Sequence, residues 1–100
     1  MRPVLHADLA AIARFLMTYP PSLREMVCDT LIDRAHLADK LRKAGCYRAD
    51  LGDGTLRSTI ARADLPGEPD LRDANFRHAN QVVLASLSVW MARNGTGKPS

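Results

Sequence analysis

Apolar residues recur along this chain at helical spacing, in stretches separated by proline and glycine breaks. Leu9, Ile12, Ala13 and Leu16 fall at i, i+3, i+4 and i+7, which predicts a first helix from about Asp8 to Tyr19 with one apolar face. Asp8 lies in its first turn, where a carboxylate suits the positive end of the helix dipole. Pro20 and Pro21 end it, because proline disfavours helical geometry in the residue before it. Pro21 also fits the first position of a second helix, where its missing N–H has no partner to lose. From Ser22 to Ala44, Leu23, Val27, Leu31, Ala35, Ala38 and Leu41 keep helical spacing, and Met26, Thr30 and Ile32 widen the stripe. Glu25, Asp29, Asp33, His36, Lys40 and Lys43 mark the opposite, solvated face. Asp39 and Lys43 make a favourable i, i+4 pair. Gly45 supplies the left-handed residue that closes the helix.

Residues 46–54 form a connector ending in Gly52-Asp53-Gly54, a pattern suited to a tight turn. A short third helix is expected from about Thr55 to Ala63, presenting Leu56 and Ile60. The stretch Leu65-Pro66-Gly67-Glu68-Pro69 is a second, stiff connector. A fourth helix begins near Asp70 or Asp73, either able to cap it, and runs to about Arg93. Its apolar face is Phe76, Ala79, Val83, Leu87 and Trp90, and Asn94-Gly95 stops it. The expected fold class is therefore all-α, a small four-helix domain around one long central helix. Residues 1–95 form the single domain, and 96–100 a flexible tail.

Composition agrees with helices. Ala and Leu dominate the apolar set and aromatics are only 5%, a balance that favours helix over strand. The net charge is +3, but 11 acidic residues are interleaved with the 14 basic ones, so the basic excess does not by itself imply nucleic acid. The apolar start of the chain is interrupted by His6, Asp8 and Arg14, unlike a secretory signal. No window approaches eighteen apolar residues, so no membrane span is expected. The expected location is cytoplasmic, with Cys28 and Cys46 as reduced thiols.

No catalytic chemistry emerges from the spacing. A calcium loop with Asp53-Gly54 at its fifth and sixth positions would need oxygen ligands at Ala49, Leu51 and Ile60, where none exists. His6, Cys28, His36, Cys46 and His78 never fall at metal-binding spacing within one helix. His36 reads as part of the solvated face, and His78 flanks the apolar stripe of the fourth helix. Cys28 adjoins an apolar stripe, the setting of an inert thiol. The sequence Gly-Asp-Gly-Thr lacks the strand and lysine of a phosphate loop. The expectation is a protein that is not an enzyme and uses no cofactor or metal.

Two binding chemistries remain. Arg34, Lys40, Arg42, Lys43 and Arg48 form the densest basic cluster. Any DNA contact is expected to be weak, sequence-independent and centred on Arg42, Lys43 and Arg48. A helix-turn-helix is not recognisable, because Pro66, Gly67 and Pro69 stiffen the link between the last two helices. The fourth helix carries more apolar residues than one core-facing stripe uses: Val82, Val83, Leu84, Leu87, Val89, Trp90 and Met91. Together with Phe15 and with Asn80 beside the stripe, this excess points to self-association. The candidate interface residues are Phe15, Asn80, Trp90 and Met91.

The opening Met1-Arg2-Pro3-Val4-Leu5-His6-Ala7-Asp8, the Ala35…Ala38-Asp39 segment, Gly52-Asp53-Gly54-Thr55-Leu56 and Glu68-Pro69 resemble a family of short alphaproteobacterial proteins associated with phage-like gene transfer agents. The resemblance spans most of the chain, through turns and caps and not through chemistry. It implies a small-terminase-like DNA-packaging factor that self-associates and recruits a larger motor protein. The helical DNA-binding part of small terminases is not recognisable in this sequence, so no functional residue carries over. The alternative from the residues themselves is a small nucleic-acid-binding regulator using the basic end of the second helix.

Overall fold

Three α-helices, α1 (His6–Leu16), α2 (Pro21–Lys43) and α3 (Ala74–Asn94), and one 3₁₀ turn at Arg57–Ile60 make up the regular structure, with no strand among the described residues. The computed structural model describes residues 1–94; the Gly95 stop and the expected tail 96–100 lie outside the described residues. The all-α class stands, but the expected four helices are three. The segment expected as a helix over 55–63 is a single 3₁₀ turn. Its own side chains compete for the backbone. Ser58 Oγ donates to the Thr55 carbonyl at 2.7 Å and Thr59 Oγ1 to the Leu56 carbonyl at 2.6 Å. Ser and Thr favour such local bonds over helix continuation.

The three helices begin and end for local reasons. Asp8 Oδ2 accepts from the Leu5 N–H at 3.0 Å, tying the first turn of α1 back to the residue before it. Helix α1 stops at Leu16, three residues before the proline pair, because the chain tightens into i→i−3 bonds. The N–H of Tyr19 donates to the Leu16 carbonyl and Thr18 Oγ1 to the Phe15 carbonyl. At the end of α2, Gly45 adopts φ +77°, with Gly45 N–H on Arg42 O and Cys46 N–H on Leu41 O. That pair of bonds is the Schellman closure. Asp73 caps α3, its Oδ1 accepting from the N–H groups of Asn75 at 2.8 Å and Phe76 at 3.1 Å.

Helix α3 packs against both α1 and α2, and the 3₁₀ turn packs against the same two helices. The shared core is Ile12, Ala13 and Leu16 from α1, Cys28, Leu31, Ile32 and Ala35 from α2, and Phe76, Ala79, Val83 and Leu87 from α3. Leu56 and Ile60 join it from the turn. In α2 the buried face is rotated from the expected stripe. Leu23 is exposed, while Arg24, Cys28 and Asp39 are buried.

Arg24 is buried, has no carboxylate partner among the described residues and acts as a joint between the three helices. Its Nε donates to the carbonyls of Leu16 at 3.0 Å and Tyr19 at 3.1 Å, the open carbonyl end of α1. One terminal nitrogen donates to His78 Nδ1 at 2.9 Å and the other to Asn75 Oδ1, both on α3. A guanidinium only donates, so His78 accepts at Nδ1 and carries its proton on Nε2. The negative end of the α1 dipole supplies the missing anion.

Asp39 is the second buried charge. It faces the Met1 amine at 3.3 Å, Arg42 at 2.8 Å and Lys43 at 3.2 Å. The predicted Asp39–Lys43 pair is thus one arm of a three-cation cluster. Gly54, at φ +92°, lies so close to this point of α2 that a Cβ would sit 2.8 Å from Asp39 Cβ and 2.9 Å from its Cα. Only glycine meets both conditions. The Gly54 carbonyl then accepts from Arg2 N–H at 3.0 Å, which holds the start of the chain in place.

Candidate functional site

With the core accounted for, the outer surfaces of α2 and α3 carry the remaining chemistry. Between them runs a groove of about 420 Å³, lined by Ile32, Val82, Ser86, Val89, Trp90 and their polar neighbours. Its α2 wall is Glu25, Asp29 and Asp33, and Arg93 of α3 stands at the rim. The three carboxylates recur at i, i+4 and i+8, so they stand in one row about 12 Å long. None of them has an ion-pair partner among the described residues. None lies in the first turn of α2, so the helix dipole does not account for them. Like charges at i, i+4 cost a helix about 0.2–0.5 kcal/mol per pair. The row therefore weakens the isolated fold slightly.

Trp90 forms one side of this groove. It is half-buried, with its ring edge-to-face against His36 at a centroid distance of 5.1 Å. His36 is therefore not on a simple solvated face, as its spacing suggested. Its Nδ1 accepts from the Met1 amine at 3.1 Å. Burial, then the neighbouring Met1 amine and Lys40 charges, lower its pKa below the ordinary 6.5. Asp39 follows the opposite balance. Burial alone would raise its carboxyl, but bonds from Arg42, Lys43 and the Met1 amine outweigh burial and hold it well below the usual carboxylate range.

The candidate interface residues do not converge. Phe15 lies in a second groove with Val27 and Ile60, its ring edge-to-face with Tyr19. Asn80 lines a third with His6, Leu9 and Phe76. The Asn80 amide donates to the Phe76 carbonyl at 2.8 Å, so its polar group is satisfied within its own helix. Trp90 borders the α2–α3 groove, and Met91 is half-buried beside it in sequence. The apolar excess of the last helix sorts cleanly. Val83 and Leu87 are buried, Val82, Trp90 and Met91 are half-buried, and Leu84 and Val89 are exposed. Leu84 and Val89 flank a strip of small exposed residues, Ala85, Ser88 and Ala92.

The candidate DNA-contacting cations are each already paired. Arg42 and Lys43 share Asp39, and Arg48 pairs with Asp50 at 3.1 Å. Lys43 and Arg48 remain largely exposed, so their charges still reach solvent. Cys28 is buried against α3. Burial pushes its thiol up to about 11, despite a hydrogen bond with Ser86, and leaves it protonated. Asp53 is committed to its own turn, accepting from the Thr55 hydroxyl at 2.6 Å and the Thr55 N–H at 3.0 Å. Those bonds hold its carboxyl below the usual range. Among the described residues no three His, Cys, Asp or Glu side chains are grouped to hold a metal ion. No helix among them is long and apolar enough to cross a membrane.

Sequence reasoning set the acidic row aside because Glu25, Asp29 and Asp33 read together as the solvated face of the helix. The signal present was the unbroken i, i+4, i+8 spacing, without a lysine or arginine placed to neutralise it. No curated protein and no solved structure matches the chain. Residues 2–87 match the family described as Domain of unknown function (DUF7742), a span reaching from the chain start through α1, α2 and the 3₁₀ turn to Leu87 of α3. On that extent of match, the chain belongs to the DUF7742 family.

Proposed function

We propose that this protein is a non-enzymatic assembly module that self-associates through α3 and recruits a larger partner protein. Its most specific form is a small-terminase-like packaging factor of a phage-like particle, acting in the cytoplasm. The observation that carries the reading is the outer ridge of α3, where Leu84 and Val89 are 53% and 51% exposed on either side of small residues. Exposed apolar residues flanking a strip of Ala and Ser let a second helix approach closely, and a self-complementary ridge favours a closed symmetric oligomer. DNA contact in this setting is electrostatic and shared with the carboxylates that already hold Arg42, Lys43 and Arg48. It weakens steeply with salt.

Sedimentation velocity over a wide concentration range tests the reading. The wild type is expected to associate, and Leu84→Glu with Val89→Glu to reduce it to the monomer. A wild type that stays monomeric at every concentration rejects self-association. Unchanged mass in the double variant assigns the contact to another face.

A further inference from the structure

We propose that the α2–α3 groove is the docking site for a cationic amphipathic helix of a partner protein. The inference rests on the assembly reading and gives the recruited partner its chemistry. The groove has the two features such a helix requires. Its floor is apolar, from Ile32, Val82 and Trp90, with exposed Val89 of the α3 ridge at its edge, and one wall is the carboxylate row Glu25, Asp29 and Asp33. A helix lying along α2 with its apolar stripe on that floor presents lysines or arginines, four residues apart, to carboxylates four residues apart.

The charge of the site is opposite to that of the molecule. The chain is +3 overall, yet the groove rim sets three carboxylates against the one guanidinium of Arg93. Among the described residues neither ion pairing nor the helix dipole uses these carboxylates, so their mutual repulsion can be relieved by cations from a partner. The same negative wall repels nucleic acid, so DNA does not compete for the groove. Attraction across such a rim also speeds encounter and sets orientation.

Trp90 is the single tryptophan of the chain and borders the groove, so its emission reports occupancy. The probe is a synthetic eighteen-residue Leu/Lys amphipathic helix without tryptophan. One control replaces Lys by Glu with the same Leu pattern, and another scrambles the sequence. The Leu/Lys helix is expected to shift Trp90 emission saturably, with affinity falling as salt rises. Glu25→Gln with Asp29→Asn and Asp33→Asn is expected to weaken binding by about tenfold or more at low salt. That triple variant removes only exposed, mutually repelling charges, so its melting temperature is expected to equal or exceed that of the wild type. Lost binding then cannot be unfolding.

Equal binding of the Glu or scrambled control, or undiminished affinity in the triple variant, overturns the proposal. So does a triple variant that loses self-association, because the occupant is then a second copy. A protein that associates yet ignores the Leu/Lys helix rejects the groove proposal and leaves the assembly reading standing. A monomer that binds the helix does the reverse.

Discussion

Replacing Asp39 by Asn tests how the chain start, α2 and the glycine turn are held together. The substitution keeps the shape of the side chain and removes the one anion among three cations. Those cations are not equivalent. The side chains of Arg42 and Lys43 are 40% and 69% exposed and can turn to water, so each accounts for at most about 1 kcal/mol. The Met1 side chain is only 2% exposed and pins the half-buried amine beside Asp39 and His36, so the amine turns to water less freely. Stranding a fully buried charge by removing its partner costs about 3–5 kcal/mol; for a half-buried amine that also bonds His36 Nδ1 the cost is smaller. The expected loss is therefore about 2 kcal/mol, out of a total of about 5–15 kcal/mol for a domain of this size. For such a domain, that loss lowers the melting temperature by about 8–16 °C.

Urea denaturation at neutral pH reads the loss directly, and acetylation of the amine provides the second arm of a double-variant cycle. Acetylation should destabilise the wild type and cost much less in the Asp39→Asn variant. The pH dependence has a definite sign. The folded carboxyl of Asp39 lies below its ordinary 3.8, so its contribution is complete above that value and is lost as pH falls below it. His36 is held below its ordinary 6.5 and must stay neutral, so acidification through and below 6.5 also costs stability, at a higher pH. The wild type should show both losses; the Asp39→Asn variant should keep the one from His36 and show a smaller loss below 3.8, where Asp53 still contributes. A variant less than about 1 kcal/mol weaker than wild type would mean that the amine is hydrated, and would refute the reasoning.

Gly54→Ala combines a disfavoured φ of +92° with a Cβ placed 2.8 Å from Asp39 Cβ, and should cost about 2 kcal/mol or more by chemical denaturation; Gly45→Ala, with nothing within 4 Å, should cost less. Leu31→Ala removes a buried side chain at the centre of α2 and should cost about 2–5 kcal/mol, so a melting shift of only a degree or two would show that it is not in the core. Iodoacetamide at pH 8 should label exposed Cys46 promptly and Cys28 only as the protein unfolds, because burial raises the Cys28 thiol to about 11; equal rates by mass spectrometry would contradict its burial.

Much of this fold was legible because its helix ends are written in local residues. Pro21, Gly45 and Asp73 each perform the predicted task, and none depends on distant partners. Most of the apolar face of α3 was legible too: Phe76, Ala79, Val83 and Leu87 are buried, though Trp90 is only half-buried and Ser86 joins them. Long-range bonds account for what was not. Arg24 reads as surface in sequence, yet its acceptors come from the end of α1 and from residues 51 and 54 positions further on. Asp39 reads as half of an exposed pair until the chain start folds onto it, 38 positions from Met1. Burying these two turns the helix, which exposes Leu23 and moves the core face toward Cys28. The candidate DNA cations and Trp90 were visible as residues. Their pairing with carboxylates, and the groove beside Trp90, exist only once α2 and α3 are side by side.

Arg24 and Asp39 have a common geometry that bears on the groove. The core between them is rich in alanine, with Ala11, Ala13, Ala35, Ala38 and Ala79 all buried. Small side chains interlock poorly, and apolar attraction has no direction, so such a core permits helices to slide. Hydrogen bonds do have direction. Arg24 fixes the N-terminal part of α2 to the ends of α1 and α3, while Asp39 fixes its C-terminal part to the chain start and the glycine turn. Glu25 is next to Arg24 and Asp29 lies one turn further on, and His36, which packs on Trp90, precedes Asp39 by about one turn. The two buried charges thus set both the rotation of the carboxylate row and the position of the Trp90 wall. A buried charge is a weak source of stability compared with a well-packed hydrophobe. In this fold its contribution is register, and the register is what keeps an acidic wall facing an apolar floor.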